Sequence, residues 1–382
     1  MPETKTRRAN GEGTFFERPN GRVQGRLRLP DGSRRSFTGR NKTEVSRKLA
    51  EARQAVKQGL TLPKERLTVG VYLTSWLAGK RAKPKTLAGY SDAIRLHLLP
   101  GLGTIPLARL DWKQVEAFYK AKEEAGLSST SVHHLHGVLR QALKKAQRVG
   151  LVAQNVTDLV EAPRIRPREM QPLDRDQARA FLEAATGDRF EALYELALST
   201  GMRQGELLAL HWNEVDLEAG RLTVRYTLAS IRGRLTITEP KTRSARRQIL
   251  LTPRVVAVLR AHRTFQKEEL LRRGVAWDKD TLLFSTWQGK PFQATHLLRG
   301  SFFPLLKSAG LPHIHFHDLR HTAATLLLLS PKVNVKAISE MLGHANVRTT
   351  LSIYAHVLPT MQENIVEAMG ALLGAKGESR YA

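Results

Sequence analysis

The chain contains no cysteine among its 382 residues. This absence excludes a disulfide framework and thiolate chemistry, and it fits a reducing compartment. The chain also lacks an uninterrupted apolar run of about 18 residues, the length that a membrane-spanning helix needs. Its first residues show no pattern of a secretory leader. We therefore expect a soluble cytoplasmic protein with no membrane partner.

Acidic residues are scarce relative to basic ones. The chain has 35 Asp and Glu against 61 Lys and Arg, which gives a formal net charge of +26. A field of this size concentrates polyanions at the surface and makes their binding steeply dependent on salt. Nucleic acid is therefore the expected partner, and in a prokaryotic cell we expect association with the nucleoid. At this length, two or three domains are expected.

Residues 1–62 are predicted to form a small basic module. The turn sequences Pro19-Asn20-Gly21 and Pro30-Asp31-Gly32 separate three short runs that predict strands, and a helix is predicted from about Thr43 to Gln58. Arginines on such a sheet could read a DNA groove. The candidates are Arg22, Arg26, Arg28, Arg34 and Arg35. The alternative is a solvated basic arm that only raises non-specific affinity.

Residues 67–163 are predicted to form a bundle of four short helices. Apolar residues from Val69 to Leu77 follow the i, i+3, i+4, i+7, i+8 stripe of a core-facing helix, and three similar stripes follow. Asp111 and either Ser128 or Ser129 are expected N-caps, and Pro100-Gly101 is expected to separate two helices. A basic run in this segment could lie on phosphates; it consists of Lys80, Arg81, Lys83 and Lys85.

A basic segment at 164–168 predicts an extended linker, because a residue that precedes proline is pushed out of the helical region. The remainder, 171–382, is predicted to be mainly helical with one β region at 221–228, 234–238 and 247–251. The expected fold is multidomain. It comprises a small sheet-plus-helix module, an all-α bundle, and a mainly α domain with a small antiparallel sheet, with the last two forming a two-lobed clamp around a duplex.

The second half of the chain carries side chains that suit covalent attack on a phosphodiester. Two guanidiniums can clamp the non-bridging oxygens, and a lysine can protonate the leaving oxygen. An imidazole can accept the proton of a nucleophile, and a tyrosine can be that nucleophile. The set is Arg203, Lys241, His317, Arg320, His344 and Tyr354. Such a site needs no metal, and we expect no cofactor.

Three stretches of sequence carry this set. They are Leu198–Trp212, His317–Thr322, and Leu342–His344 followed ten residues later by Tyr354. These boxes resemble those of the tyrosine recombinase (phage integrase) family. The resemblance implies an arm-binding module at 1–62, a core-binding domain at 67–163 and a catalytic domain at 171–382.

The resemblance also implies roles for individual residues. Arg203 would hold the scissile phosphate, and Lys241, expected at the tip of a hairpin, would be the general acid for the 5′ leaving oxygen. His317 is placed to accept the phenol proton, Arg320 to supply the second fork, and His344 to donate to the phosphate. Glu206 is expected to orient a helix or an arginine. Further DNA-phosphate contacts are expected from Arg243, Arg246 and Arg247.

The implied function is site-specific DNA recombination, with Tyr354 forming a 3′-phosphotyrosyl link. The expected partners are double-stranded attachment sites of core and arm type, a homotetramer on DNA, and a DNA-bending protein or an excision factor.

Three alternatives remain open. A type IB topoisomerase-like enzyme would share the site, and a DNA-binding regulator would carry a degenerate one. A zinc hydrolase is the third, because His317-Asp318-Leu319-Arg320-His321 mimics the HExxH pattern, with Asp in place of Glu.

Overall fold

The computed structural model describes residues 14–29, 32, 34–57, 67–165, 170–239, 246–330, 333–344, 346–353 and 369–370. The chain divides into two compact units, Met1–Pro167 and Arg168–Ala382. The predicted fold class is confirmed, since a small sheet with a helix is followed by a helical bundle and then by a mainly helical unit with small antiparallel sheets. Within these ranges, no helix has both the length and the apolar character needed to cross a bilayer.

The first unit begins with an antiparallel sheet of order β1-β2-β3, followed by a helix, as predicted. These elements are β1 (Thr14–Glu17), β2 (Val23–Arg28), β3 (Arg34–Gly39) and α1 (Lys42–Lys57). Val23 and Leu27 of β2 face α1 and pack with Val45 and Leu49. Between them, Gly25 allows a close approach, because an added Cβ would lie 2.6 Å from Cγ1 of Val45.

A helical bundle forms the rest of the first unit. Its helices are α2 (Val69–Ala78), α3 (Pro84–Ala93), α4 (Leu99–Leu102), α5 (Trp112–Glu124) and α6 (Ser129–Arg148). The predicted cap Asp111 accepts from the backbone N–H of Gln114, which completes a capping box, and Ser128 rather than Ser129 caps α6. The apolar stripe of α6 forms one core with α2, α3 and α5.

The break predicted at Pro100-Gly101 is wrong. A π-helical turn at Ile94–Leu98 joins α3 to α4, and Leu99 N donates to the carbonyl of Ile94. The wider turn lets the helix continue through Pro100, which lacks an N–H. Gly101 serves packing here, because an added Cβ would lie 2.4 Å from the ring of Phe118.

The second unit is mainly helical. Its helices are α7 (Arg175–Ala184), α8 (Glu191–Thr200), α9 (Gln204–Leu207), α10 (Pro253–Arg272), α11 (Ala294–Leu297), α12 (Phe303–Ser308), α13 (Phe316–Leu328), α14 (Val335–Leu342) and α15 (Val347–Ile353). Phe181, Tyr194 and Phe302 pack edge to face or tilted at the centre of its core. The Tyr194 hydroxyl lies 2.7 Å from Oγ of Ser301, so this buried polar atom is satisfied.

In the described part of the second unit, the strands form two small antiparallel sheets rather than the single β region predicted. The strands are β4 (Val215–Asp216), β5 (Arg221–Val224), β6 (Thr227–Ile231), β7 (Arg234–Thr238) and β8 (Arg247–Leu250). One sheet has the order β4-β5-β8, and the other is the β6-β7 hairpin. The run predicted as one strand at 221–228 is thus divided between two sheets.

Candidate functional site

Arg203 follows a sharp reversal of the chain. Helix α8 ends at Thr200, and Gly201 takes φ 59°, the left-handed conformation that glycine adopts most readily. A side chain at Gly201 would also collide with Cδ2 of Leu342, 2.6 Å from an added Cβ. The reversal places Arg203 at the N-cap of α9, where the helix dipole favours anions.

Glu206 of α9 is buried, with 3% of its side chain exposed, and it binds two arginines. Nη1 of Arg203 donates to its Oε1 at 2.8 Å, and Nη2 of Arg247 donates to its Oε2 at 2.9 Å. Burial opposes ionisation of this carboxyl, but the two arginines outweigh burial and lower its pKa below the usual value. Glu206 is therefore an ionised carboxylate, and its bond to Nη1 fixes the direction of the Arg203 side chain.

Arg320 lies inside the unit, with 3% of the residue exposed. Its Nη1 donates to the carbonyl of Gly201 at 2.7 Å and to the carbonyl of Leu342 at 2.8 Å. These carbonyls immediately precede the segments that carry Arg203 and His344. One guanidinium thus joins the three sequence boxes at their backbones.

His317 lies on the first turn of α13. Partial burial and the nearby charges of His321, Arg320 and Arg203 lower its pKa to about 4, although the side chain also opens to solvent. At pH 7 its imidazole is therefore neutral and able to accept a proton.

His344 follows Gly343, the C-cap residue of α14, which has φ 71°. Its Nδ1 lies 2.8 Å from Oγ1 of Thr350, a buried residue of α15. Burial and then the charges of Arg320 and Arg203 lower the pKa of His344 to about 4. The same two arginines act on both imidazoles, so the structure brings Arg203, Arg320, His317 and His344 together.

The HExxH-like stretch has a different use from that of a zinc site. Oδ2 of Asp318 accepts from the backbone N–H of His315 at 2.7 Å, so this buried acid caps α13. The rings of His317 and His321 lie 5.0 Å apart in an edge-to-face arrangement. In the described part of the chain, no group of three or more His, Cys, Asp and Glu could hold a metal ion.

Three predicted site residues, Lys241, Arg243 and Tyr354, lie outside the described residues. The flanking strands still correct one expectation. β7 pairs with β6, and β8 pairs with β5, so the two strands that flank Lys241 in the sequence belong to different sheets and do not pair with each other as a hairpin would. Tyr354 directly follows α15, the helix that holds His344 through Thr350.

The predicted DNA-contact residues divide into exposed and buried positions. Arg26 and Arg28 on β2 and Arg34 on β3 share the face opposite α1, and Arg22 lies exposed just before β2. Arg35 is on the other face, because successive residues of a strand point to opposite sides. The five candidate arginines are therefore divided between the two faces of the sheet and the segment before β2.

In the second unit, Arg246 is exposed and lies 2.8 Å from Glu239. Arg247 was predicted as a surface contact, but only 7% of its side chain is exposed, so its guanidinium belongs to the interior. The alternation of β8 explains this difference, since Arg247 shares a side with the buried Ile249. That signal was present in the sequence and was missed.

Around the start of α3, Arg81, Lys83 and Lys85 are exposed. Nζ of Lys80 donates to Gln141 at 3.1 Å and lies 5.0 Å above the ring of Trp76. Lys80 and Arg81 line a groove of about 620 Å³. The other wall of the groove includes Lys144, Lys145 and Arg148 of α6, which were not among the predicted DNA contacts. The signal was their spacing on the polar side of an amphipathic helix.

Comparisons with known proteins bear on this geometry. Residues 171–361 match the phage integrase family, and residues 68–122 match the phage integrase N-terminal SAM-like domain. The chain belongs to the phage integrase family. The family prediction, and with it the prediction of a tyrosine recombinase, is confirmed.

Relatives of this integrase-family chain cover nearly its whole length. A protein named tyrosine recombinase XerC-like from Caldanaerobacter subterraneus is 30% identical over 89% of this chain and 92% of its own length. An integrase from Streptomyces ambofaciens is 32% identical over 88% of this chain and 89% of its own.

Solved structures support the fold. The Tn1549 transposon integrase in complex with transposon right end DNA has a TM-score of 0.67 and 24% identity, over 81% of this chain and all of that one. A lambda integrase tetramer bound to a Holliday junction has a TM-score of 0.57 and 20% identity, over 91% of this chain and 96% of that one.

Proposed function

We propose that this integrase cleaves and rejoins double-stranded DNA at attachment sites of a mobile element. The observation that supports this most directly is the junction at Arg320, which ties the backbones next to Arg203 and His344 to the helix that carries His317. Four groups that suit a phosphate and a proton transfer thus come from three distant parts of the chain.

In the proposed reaction, Oη of Tyr354 attacks the scissile phosphorus and the bond from phosphorus to the 5′ oxygen breaks. The phenol proton passes to the neutral His317, and Lys241 protonates the departing 5′ oxygen. The product is a 3′-phosphotyrosyl link with a free 5′-hydroxyl. The 5′-hydroxyl of a partner strand then attacks the same phosphorus and releases Tyr354, so no nucleotide cofactor is consumed.

Fixed positive charge stabilises the transition state in this proposal. Arg203, held by Glu206, and Arg320 would bind the non-bridging oxygens, with His344 as a further donor. Nη1 of Arg320 also donates to the carbonyls of Gly201 and Leu342, and these bonds fix the orientation of its guanidinium in the site. An anion there would also favour protonation of both imidazoles as the reaction proceeds.

We propose that the whole chain comprises three functional domains: an arm-binding module at 1–62, a core-binding domain at 67–163 and a catalytic domain at 171–382. The exposed arginine face of the N-terminal sheet would bind arm sites, and the basic groove between α2 and α6 would contact core-site phosphates. A homotetramer would act on DNA at the nucleoid, with a DNA-bending protein or an excision factor as a further partner. The lambda integrase tetramer is the precedent for this assembly.

The central test is covalent trapping on a nicked core-site duplex. Tyr354→Phe should abolish the SDS-stable adduct and leave duplex binding within a few-fold, because only the nucleophilic oxygen is removed. Tyr226→Phe is the matched control, since Tyr226 is an exposed tyrosine of the same unit. An adduct that persists in the Tyr354→Phe variant would remove Tyr354 from the mechanism.

A second test concerns the general acid. Lys241→Ala should be rescued by a substrate whose 5′ bridging oxygen is sulfur, because a thiolate leaves without a proton. Rescue of His317→Ala in its place would reassign the acid. Strand exchange between two duplexes separates the recombinase from a topoisomerase, which would relax DNA without exchange.

A further inference from the structure

Arg247 is a buried cation at the first position of β8, directly after the segment that carries Lys241. Its Nη2 donates to Oε2 of Glu206, and its Nε donates to the carbonyl of Met341. A Cβ added to Gly343 would lie 2.9 Å from its Nη1. The guanidinium is thus packed between α9 and the end of α14.

Glu206 and Met341, to which Arg247 donates, belong to different parts of the site. Glu206 holds the Arg203 guanidinium through its other oxygen, at 2.8 Å. Met341 lies in the last turn of α14, and Gly343 then reverses the chain into His344. Arg247 therefore connects Glu206, which holds Arg203, to the end of α14, which positions His344.

Stability alone does not account for an arginine at this position. Removing a guanidinium from water is costly, and apolar residues of similar volume often stabilise a protein as well as a buried ion pair does. Unlike an apolar side chain, the planar guanidinium of arginine holds two hydrogen-bond acceptors at a fixed angle to each other. Lysine, with a single point charge, cannot hold a carboxylate and a carbonyl in that geometry.

We infer that Arg247 is a positioning residue for DNA cleavage, which sets Arg203 and His344 in register by bonding Glu206 and the carbonyl of Met341 with one guanidinium. The inference rests on the proposed function, because it concerns the same site. As a positioning residue, Arg247 would act on cleavage without touching the substrate. It acts through Glu206 and through the end of α14.

The experiment compares Arg247→Lys, Arg247→Met, Glu206→Gln and the double variant Glu206→Gln with Arg247→Lys. Arg189→Lys is the matched control, because Arg189 of the same unit also bonds a carboxylate, Glu269, and a carbonyl, that of Ser285. Each protein is assayed for the single-turnover rate of adduct formation, for affinity for a core-site duplex, and for its melting temperature.

Arg247→Lys and Arg247→Met should each slow adduct formation roughly 10- to 100-fold, the loss that a displacement of about 1 Å in a site produces. Duplex affinity should change less than about 3-fold. Arg189→Lys should lower the melting temperature by a similar amount without slowing cleavage. The double variant should lose less than the product of the two single losses, because both single variants disturb the same bond between Glu206 and Arg247.

Several results would overturn the inference. They are full cleavage by Arg247→Lys, rates that fall only in parallel with affinity or stability, and losses that multiply in the double variant. If Arg247→Met fails to fold, the same comparison is made between Arg247→Lys and Glu206→Gln. Absence of any adduct with the unaltered protein would instead contradict the proposed function, so the two failures are distinguishable.

Discussion

Nη1 of Arg320 lies 2.7 Å from the carbonyl oxygen of Gly201, two residues before Arg203. The bond fixes the reversal of the chain at the end of α8 against α13. Since the same nitrogen also binds the carbonyl of Leu342, a residue expected to contact substrate is at the same time a buried structural support.

Arg320→Ala and Arg203→Ala should therefore reduce cleavage to a similar extent, but Arg320→Ala should destabilise the protein more. Each should lose on the order of 10²-fold or more in cleavage, because each removes one preorganised charge donor. Arg320→Ala should also lower the melting temperature, since two carbonyls lose their donor at about 1–3 kcal/mol each. Arg203, whose side chain is 40% exposed, should affect stability much less. Trapping assays and thermal melts test both points, and retained cleavage in either variant would exclude that arginine from the site.

Gly343→Ala should impair cleavage as well as stability. An alanine at φ 71° costs about 1–2 kcal/mol, and its Cβ would also press on Arg247. Gly310→Ala is the matched control, because Gly310 follows a helix end at φ 65° with no heavy atom within 4 Å of an added Cβ. Both variants should melt lower, but only Gly343→Ala should form adduct roughly 10-fold more slowly. Equal cleavage rates would show that the contact with Arg247 is unimportant.

The two imidazoles should make the stability of the free protein depend on pH. Their pKa is about 4 in the folded state, against an ordinary value near 6.5, so the unfolded chain binds more protons between these values. Stability from His317 and His344 is thus present above about pH 6.5 and is lost as pH falls toward 4. Exchanging both residues for Gln should flatten the fall in melting temperature over that window. His296→Gln, at an exposed position, is the control, and an unchanged slope in the double variant would contradict the shift.

The arginine face of the N-terminal sheet should govern salt-dependent arm binding. Replacing Arg26, Arg28 and Arg34 by Ala should lower the slope of log affinity against log salt by up to about 3, close to one unit per lost phosphate contact. A triple variant of Arg35, Arg47 and Lys57, away from that face, removes the same charge and should change the slope less. Deleting residues 1–62 should leave core-site cleavage nearly intact while impairing recombination that needs accessory sites. Unchanged recombination would reduce the module to a passive tail.

Local signals in the sequence predicted much of the fold correctly. The apolar stripes predicted α2 and α6, and the capping residues Asp111 and Ser128 predicted where helices begin. The boxes placed Arg203, Arg320 and His344 in one set before any contact was known. The predictions were wrong where the tertiary structure overrode a local preference of the sequence. Pro100 is inside a helix because a π turn precedes it, and the 221–228 run changes sheets.

By itself, the sequence determined the partner class, the order of the elements and the chemical groups of the site, since charge, periodicity and motif spacing are properties of the chain alone. The tertiary structure decided which of these groups act on each other. Strand register put Arg35 and Arg247 on the faces that they occupy. Burial gave Arg320 two backbone carbonyls as partners and paired Glu206 with Arg247, because a charged group removed from water must find its partners within the fold.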